Sequence, residues 1–293
     1  MRKTGAHFFA SRSVAKIAAA FRAACREEIE APKPGNVHVF AGGHNMDAAH
    51  FLLSAEVSAG PIAAAGTSVG ARVLAAVEAS FAAVGMNTNL GIILLCAPLA
   101  AAAERGGALR AALKDVLRTL DGQDAARVFR AIALANPGGL GAAPRYDVRD
   151  MPEIGLMEAM NEAAPRDRIA HQYASDFDDI FVTGRLALAD AEAAGLRPPL
   201  RAAAVYLAFL AGFPDTHIFR KYGAATAAAV QNEAQTMLML FRARRGDCLS
   251  ELLAFDTSLK ARGLNPGTSA DLTVATLFAD RLRDGLPSRR NDD

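Results

Sequence analysis

Leu90-Gly91-Ile92-Ile93-Leu94-Leu95-Cys96-Ala97-Pro98-Leu99-Ala100-Ala101-Ala102-Ala103 is the stretch that decides the class of fold. It is apolar on every side, so a helix built from it offers no face to water and has to lie among other helices. It is about as long as one ordinary helix, short of the roughly 20 apolar residues that a bilayer crossing needs. The run therefore predicts a buried core helix, and the rest of the chain has to supply its cover.

That cover reads as helical too. Alanine dominates, β-branched residues are sparse, and apolar residues recur at intervals of three and four, the period of a helix rather than of a strand. The spacing predicts helices over residues 13–30, 46–65, 69–84, 91–103, 109–120, 123–135, 155–163, 177–194, 200–210, 224–240, 249–260 and 268–283. Asp121 and Ser269 are start signals, and Pro98, Pro137 and Pro165 punctuate or bend. The expected fold is all-α: a single compact multi-helix bundle of stacked helical hairpins over 1–293, its core at about 13–284 and a disordered tail at 285–293. A chain of 293 residues with 52% hydrophobic content can bury a core of that size.

Charge and cysteine usage narrow the function classes. Lys+Arg at 32 against Asp+Glu at 31 leaves a net charge of +1, which points to neither nucleic acid nor a membrane surface as partner. Cys25, Cys96 and Cys248 are odd in number and far apart, so they define neither a disulfide framework nor a zinc site. The basic start Met1-Arg2-Lys3 has no long apolar run behind it, and the expected location is the cytoplasm.

Two regions resist a helical reading, 31–45 with its Pro32, Pro34, Gly35, Gly42 and Gly43, and 136–152 with its Pro137, Gly138, Gly139, Gly141, Pro144 and Pro152. Loops of that length inside a helical domain are more often functional than idle. In the first, Lys33 sits between two prolines and ahead of Gly35, which suits a phosphate, although a stiff connector with a solvated lysine fits the same residues. Farther on, His44, Asn45 and Asp47 gather where a helix begins, either to attract an anion or hold a metal, or simply to cap the helix.

Further candidates lie at other loop–helix junctions. Asn87, Thr88 and Asn89 precede the apolar helix and offer neutral donors and acceptors, with ordinary capping as the other reading. Asp215, Thr216, His217 and Arg220 fall within a short segment in which a carboxylate could hold Mg²⁺ and a guanidinium grip phosphate, or the two could form a surface ion pair. Asp176, Asp178 and Asp179 crowd one helix start, as metal ligands or as a solvated first turn. Asp271 follows Pro266-Gly267, as part of a site or as a dipole-favoured helix start. There is no P-loop, no dinucleotide fingerprint and no His-Glu-x-x-His zinc helix.

Taken in order, Pro32-Lys33-Pro34-Gly35, Met46-Asp47 with Phe51 and Ser54, Asn87-Thr88 with Gly91, Asp215-Thr216 with Ile218 and Arg220, and Pro266-Gly267 with Ala270-Asp271-Leu272 resemble the triphosphoribosyl-dephospho-coenzyme A synthase family. The resemblance implies an all-α, Mg²⁺-dependent, ATP-binding transferase of cofactor biosynthesis. In it, the 2′-hydroxyl of dephospho-coenzyme A attacks the ribose carbon of ATP and adenine departs. It further implies that Asp47, Asp215 and Asp271 are catalytic, binding metal or orienting the hydroxyl, that Lys33 and Arg220 hold phosphates, and that Asn87 and Thr88 position the sugar; Gly35, His44, Asn45 and Asn89 join them as candidates to bind substrate and phosphate on their own chemistry. Asp47, Asp178, Asp179 and Asp215 are the candidates to hold the metal, and a homodimer is the assembly to consider.

The chain departs from the family pattern in three places. Where the synthases carry His-Lys after Asn-Thr, this chain has Asn89-Leu90, and Gly42-Gly43-His44-Asn45 stands for their Ser-His-x-Asp. Their Arg-Gly-Glu-Ala segment is replaced by the surroundings of Pro144-Arg145-Tyr146. In these respects the chain is similar to a divergent branch found in organisms with methanopterin-type one-carbon carriers. A related step in methanopterin-type cofactor biosynthesis, a metal-dependent hydrolase of a phosphorylated ribosyl compound and a non-catalytic nucleotide-binding protein are the alternatives.

Overall fold

The computed structural model describes residues 4–43, 46–137 and 154–284. Among these are fourteen α-helices and no strand, as the periodicity predicts. They are α1 (Thr4–Glu30), α2 (Ala48–Ala63), α3 (Val69–Val84), α4 (Leu90–Arg105), α5 (Leu109–Leu117), α6 (Gly122–Ala135), α7 (Leu156–Ala163), α8 (Arg168–Ala174), α9 (Arg185–Ala193), α10 (Leu200–Gly212), α11 (Thr216–Tyr222), α12 (Ala224–Ala243), α13 (Leu249–Ala261) and α14 (Gly267–Asp284). The expected tail at 285–293 and most of the loop at 136–152 fall outside the described residues.

Three helices form the interior. The all-apolar α4 lies against α1, α2, α3, α5, α8 and α14, and Ile93, Leu95, Ala97 and Leu99 have no exposed surface. Helix α10 is covered by α1, α9, α12 and α14, and α14 joins the two by packing on both α4 and α10. Buried hydroxyls on α14 are satisfied locally: Thr273 donates to the Ser269 carbonyl at 2.8 Å and Thr276 to that of Leu272 at 2.9 Å.

Pro98 inside α4 carries no N–H, so the Leu94 carbonyl loses its partner within the helix. In a dry core that carbonyl needs another donor. The wholly buried Tyr173 of α8 supplies it, its hydroxyl donating to the Leu94 oxygen at 2.6 Å. The bond fixes α8 against the central helix.

The structure corrects one expected helix and adds two short ones. The apolar pattern over 177–194 predicts a continuous helix, but Asp176 and Phe177 adopt positive φ of 52° and 59°. The Phe177 N–H closes α8 by donating to the Gln172 carbonyl at 2.7 Å. The chain then makes a π-helical turn, Asp179–Gly184, before α9 begins. Helices α8 and α11, each 7 residues long, fall short of the roughly 11–18 residues over which an apolar pattern can be read, so spacing alone does not announce them.

Removing the Tyr173 hydroxyl should leave the Leu94 carbonyl without a donor. A Tyr173→Phe variant is expected to lose about 1–3 kcal/mol in urea unfolding with the helix content of the native state unchanged. A stability equal to that of the parent would contradict this role.

Candidate functional site

The N-terminal ends of α4, α11 and α14 and the loop after α1 border a cleft of ≈ 1000 Å³. Part of its lining is apolar, including Phe81 of α3, Val128 and Ile132 of α6, and Leu156 and Met160 of α7. Arg166, Asp167, Arg220 and Lys221 form a charged part. The deepest polar groups are Glu28, Asn36 and Thr88, each nearly inaccessible, together with Asn265 and Asp271.

The loop after α1 runs through the interior, which is unusual for a segment without regular hydrogen bonds. Its prolines reduce the problem, since Pro32 and Pro34 have no N–H to satisfy. Tyr206 of α10 donates its hydroxyl to the Pro34 carbonyl at 2.6 Å, and Asp256 of α13 accepts the Gly35 N–H at 2.8 Å. Gly35 has φ of +82°, a left-handed turn that returns the chain toward the cleft. Lys33 and Gly35, expected to bind phosphate, therefore lie beneath the cleft lining.

Lys33 is completely buried, and its ammonium donates to Glu28 and, at 3.0 Å, to Asn36 Oδ1. Asn36 in turn donates to Asn265 Oδ1 at 2.8 Å. Burial raises the Glu28 pKa and lowers that of Lys33, and each is opposed by the charge of the other. An unpaired charge here would be far more costly than the pair. The cation expected to grip phosphate instead keeps a carboxylate in place under the cleft.

Asp271 lines the cleft and keeps part of its surface accessible. It sits against the first turn of α4, where a Cβ on Gly91 would come within 2.0 Å of its Oδ2. Glycine at position 91 is therefore a requirement of this packing. Desolvation pushes the Asp271 carboxyl well above the usual carboxylate range, the nearby charges of Glu28, Asp215 and Asp167 push it further, and Lys33 opposes them.

Asp215 is held differently. Its Oδ1 accepts the His217 and Ile218 N–H groups at 2.9 and 3.3 Å, and its Oδ2 accepts the Ser269 N–H and hydroxyl, both at 2.8 Å. Four donors use the lone pairs of one carboxylate. Desolvation raises its pKa against these hydrogen bonds. Expected as a catalytic and metal-binding residue, Asp215 instead caps α11 and pins it to α14, positioning Arg220 relative to Asp271.

Asn87, Thr88 and Arg220, candidates to bind substrate and phosphate, border the cleft. Asn87 Oδ1 also accepts the Leu90 N–H at 3.2 Å, so its amide nitrogen is the end available to a ligand. Thr88 shares a hydrogen bond of 2.6 Å with Ser54 of α2. Asn89 turns inward to Ser58 at 3.4 Å and does not line the cleft. Arg220 contacts Asp167 at 3.3 Å, while the other oxygen of Asp167 caps α8. His44 and Asn45 lie outside the described residues.

The expected metal ligands do not converge. Asp178 pairs with Arg110 at 2.7 Å, Asp176 with Lys114 at 3.0 Å, and Asp179 accepts both arms of Arg168 at 2.7 and 2.8 Å plus Gln172. The three acids repel each other less than their spacing suggests because each has its own cation or amide. Asp47 caps α2 in a reciprocal pair with His50, whose N–H holds the Asp47 carboxyl below the usual range. Among the described residues no group of three or more His, Cys, Asp or Glu is arranged to hold a metal ion.

Glu28, Asn36, Asp167, Arg166 and Asn265 escaped the sequence reading. A signal for Glu28 was present: an acid in the last turn of α1 opposes the helix dipole and needs a cation to offset it. That cation is Lys33, five residues on.

The sequence model of the family described as CitG, ATP:dephospho-CoA triphosphoribosyl transferase, matches residues 14–290. The crystal structure of a candidate triphosphoribosyl-dephospho-coA synthase from Archaeoglobus fulgidus is similar to this chain with a TM-score of 0.63 and 26% sequence identity, covering 80% of this chain and 99% of that one. No curated protein sequence matches.

The contact of Asp271 with Gly91 makes their energies interdependent. Gly91→Ala should destabilise the protein by about 1–3 kcal/mol while Asp271 is present, and by clearly less in an Asp271→Ala background. Equal costs in the two backgrounds, measured by urea unfolding, would show that the carboxylate is not what excludes a side chain.

Proposed function

The chain belongs to the ATP:dephospho-CoA triphosphoribosyl transferase family, and we propose that its cleft moves the triphosphoribosyl group of ATP to the 2′-hydroxyl of dephospho-coenzyme A with release of adenine. The observation that carries this reading is the presence, in one cleft, of a cationic part, an apolar part and the desolvated acid Asp271. The transfer uses each of them: cations for the triphosphate, a dry wall for the base, and an acid for the departing nitrogen.

The triphosphate needs charge, and Arg166 together with Arg220 and Lys221 of the last turn of α11 provides it. The lysine that the synthases carry at the position of Leu90 is absent, so these cations take its share. Mg²⁺ enters as part of the MgATP substrate, held by the phosphate oxygens, because the expected carboxylate ligands are already committed to protein partners. Asn87 and Thr88 offer hydrogen bonds to the ribose. Phe81, Val128 and Ile132 supply a dry wall for the base.

Adenine departs easily only if it gains a proton as the glycosidic bond breaks. Asp271 suits that step, because its raised pKa keeps it neutral where an ordinary aspartate is ionised. A group whose protonated form is required loses function as pH rises through its pKa, so the alkaline limb of the rate profile should belong to Asp271. A cleft of ≈ 1000 Å³ lies at the upper end for small-molecule sites, which is the room two nucleotide-sized substrates require.

No single described helix is long and apolar enough to cross a membrane. The substrates of this reading are cytoplasmic metabolites, which is where we place the enzyme.

Incubation of the purified protein with ATP, Mg²⁺ and dephospho-coenzyme A should release adenine in step with a product heavier by one triphosphoribosyl group. Asp271→Asn should lower kcat by roughly 10²–10⁴-fold. Arg220→Ala should act mainly on the KM for ATP, by about tenfold or more, the worth of one charge-assisted contact. Adenine release that needs no acceptor would make the protein a hydrolase, and no release at all would overturn the reading.

A further inference from the structure

Asp271 accounts for one proton in this reaction, and the attacking hydroxyl has to lose another. Besides Asp271 the cleft is lined by Glu28, Glu162 and Asp167, none of them in the sequence motifs, and Glu28 is the most buried of the three. Glu28 belongs to the last turn of α1, lines the cleft, and is 3% exposed. Helix α1 packs on both α4 and α14, so Glu28 enters the cleft that Gly91 and Asp271 line from a different helix, close enough for its charge to act on Asp271. Asn36 and Asn265 line the cleft beside it and are tied to it through Lys33.

We propose that Glu28 is a catalytic residue of the transfer: its carboxylate takes the proton of the attacking hydroxyl while Asp271 gives one to the departing adenine. The inference rests on the ATP and dephospho-coenzyme A reading above. In the step, the hydroxyl O–H bond breaks toward Glu28 and the oxygen forms a bond to the anomeric carbon of the ATP ribose. The C–N bond to adenine breaks, and the adenine nitrogen receives the Asp271 proton. Glu28 ends protonated and Asp271 ionised, and exchange with solvent resets both.

The division of labour follows from the neighbours. Burial raises the Glu28 pKa, and Lys33, in direct contact with it, opposes that shift. Asp271 has acids around it, Glu28, Asp215 and Asp167, with Lys33 the only opposing charge among its principal neighbours. Burial opposes ionisation of both, but only Glu28 holds a cation in direct contact, and that difference in surroundings is what separates a base from an acid at one site. Lys33 is then a positioning residue, and its burial has a purpose: a phosphate-binding lysine would be drawn toward the substrate, whereas this one stays with Glu28. Cys25, also near both acids, is kept neutral by burial.

The test compares Glu28→Gln and Asp271→Asn in adenine release from MgATP, with dephospho-coenzyme A or with azide as nucleophile. Azide is already an anion and needs no base. Glu28→Gln should lose at least a hundredfold in kcat with dephospho-coenzyme A (about the lower bound for a general base), keep its KM for ATP within about threefold, and regain roughly tenfold or more in adenine release when azide is added, forming the triphosphoribosyl azide. Asp271→Asn should not respond to azide. The acid limb of the kcat profile should vanish in Glu28→Gln, while the alkaline limb stays. Since the glutamine leaves Lys33 without a counter-charge, the Glu28→Gln/Lys33→Met double variant repeats the azide measurement with the buried pair removed together. Wild-type kcat retained within about threefold in Glu28→Gln, or no azide response in either Glu28 variant, overturns the assignment while leaving the transfer reading intact. Absence of adenine release from the wild type with any acceptor defeats both.

Discussion

The carboxylate of Asp271 occupies the space in which a side chain at position 91 would lie, and much of the site depends on that contact. It brings the start of α14 against the start of α4, two of the three helices that form the interior. Two long helices thereby open their N-terminal ends on the same cleft, and an acid is held where water is scarce. Asp215 reinforces the arrangement by joining α11 to α14 through four hydrogen bonds. The residues expected to perform chemistry thus divide into those that meet the cleft and those that hold them there.

A shared physical logic runs through the interior, where polar groups that secondary structure leaves without a partner are met by specific side chains. Pro98 frees the Leu94 carbonyl and Tyr173 takes it, Tyr206 takes the Pro34 carbonyl, and Asp256 takes the Gly35 N–H. The buried loop after α1 is tolerable because its prolines remove donors and its remaining groups reach α10 and α13. Such contacts fix geometry more than they add net stability, since a hydrogen bond made in the core replaces one made in water.

The fold class was legible in the sequence because the signs of it are local. An all-apolar run such as Leu90 to Ala103 can only be a core helix, and apolar spacing carried most helices to within a few residues of their ends. It failed at Phe177, where a backbone reversal leaves the apolar pattern untouched. It also passed over α8 and α11, which are too short for an apolar pattern to be read. The site was legible in its outline: Asn87, Thr88, Arg220 and Asp271 do meet at one cleft. Lys33 and Asp215 look alike as isolated charged residues in loops, and only the structure shows that Glu28 claims the one and four donors the other. Glu28 itself was hidden because a glutamate in an amphipathic helix resembles any solvated residue until its burial is known.

Both the proton given to adenine and the proton taken from the acceptor require one placement: the anomeric carbon of the ATP ribose has to lie between Asp271 and Glu28. A crystal structure of the Glu28→Gln variant with MgATP and dephospho-coenzyme A bound tests that placement. The adenine nitrogen should sit beside Asp271, the acceptor hydroxyl beside residue 28, and the triphosphate should reach toward Arg166, Arg220 and Lys221. A nucleotide bound with its ribose away from Asp271, or with its triphosphate turned away from Arg220, would contradict it.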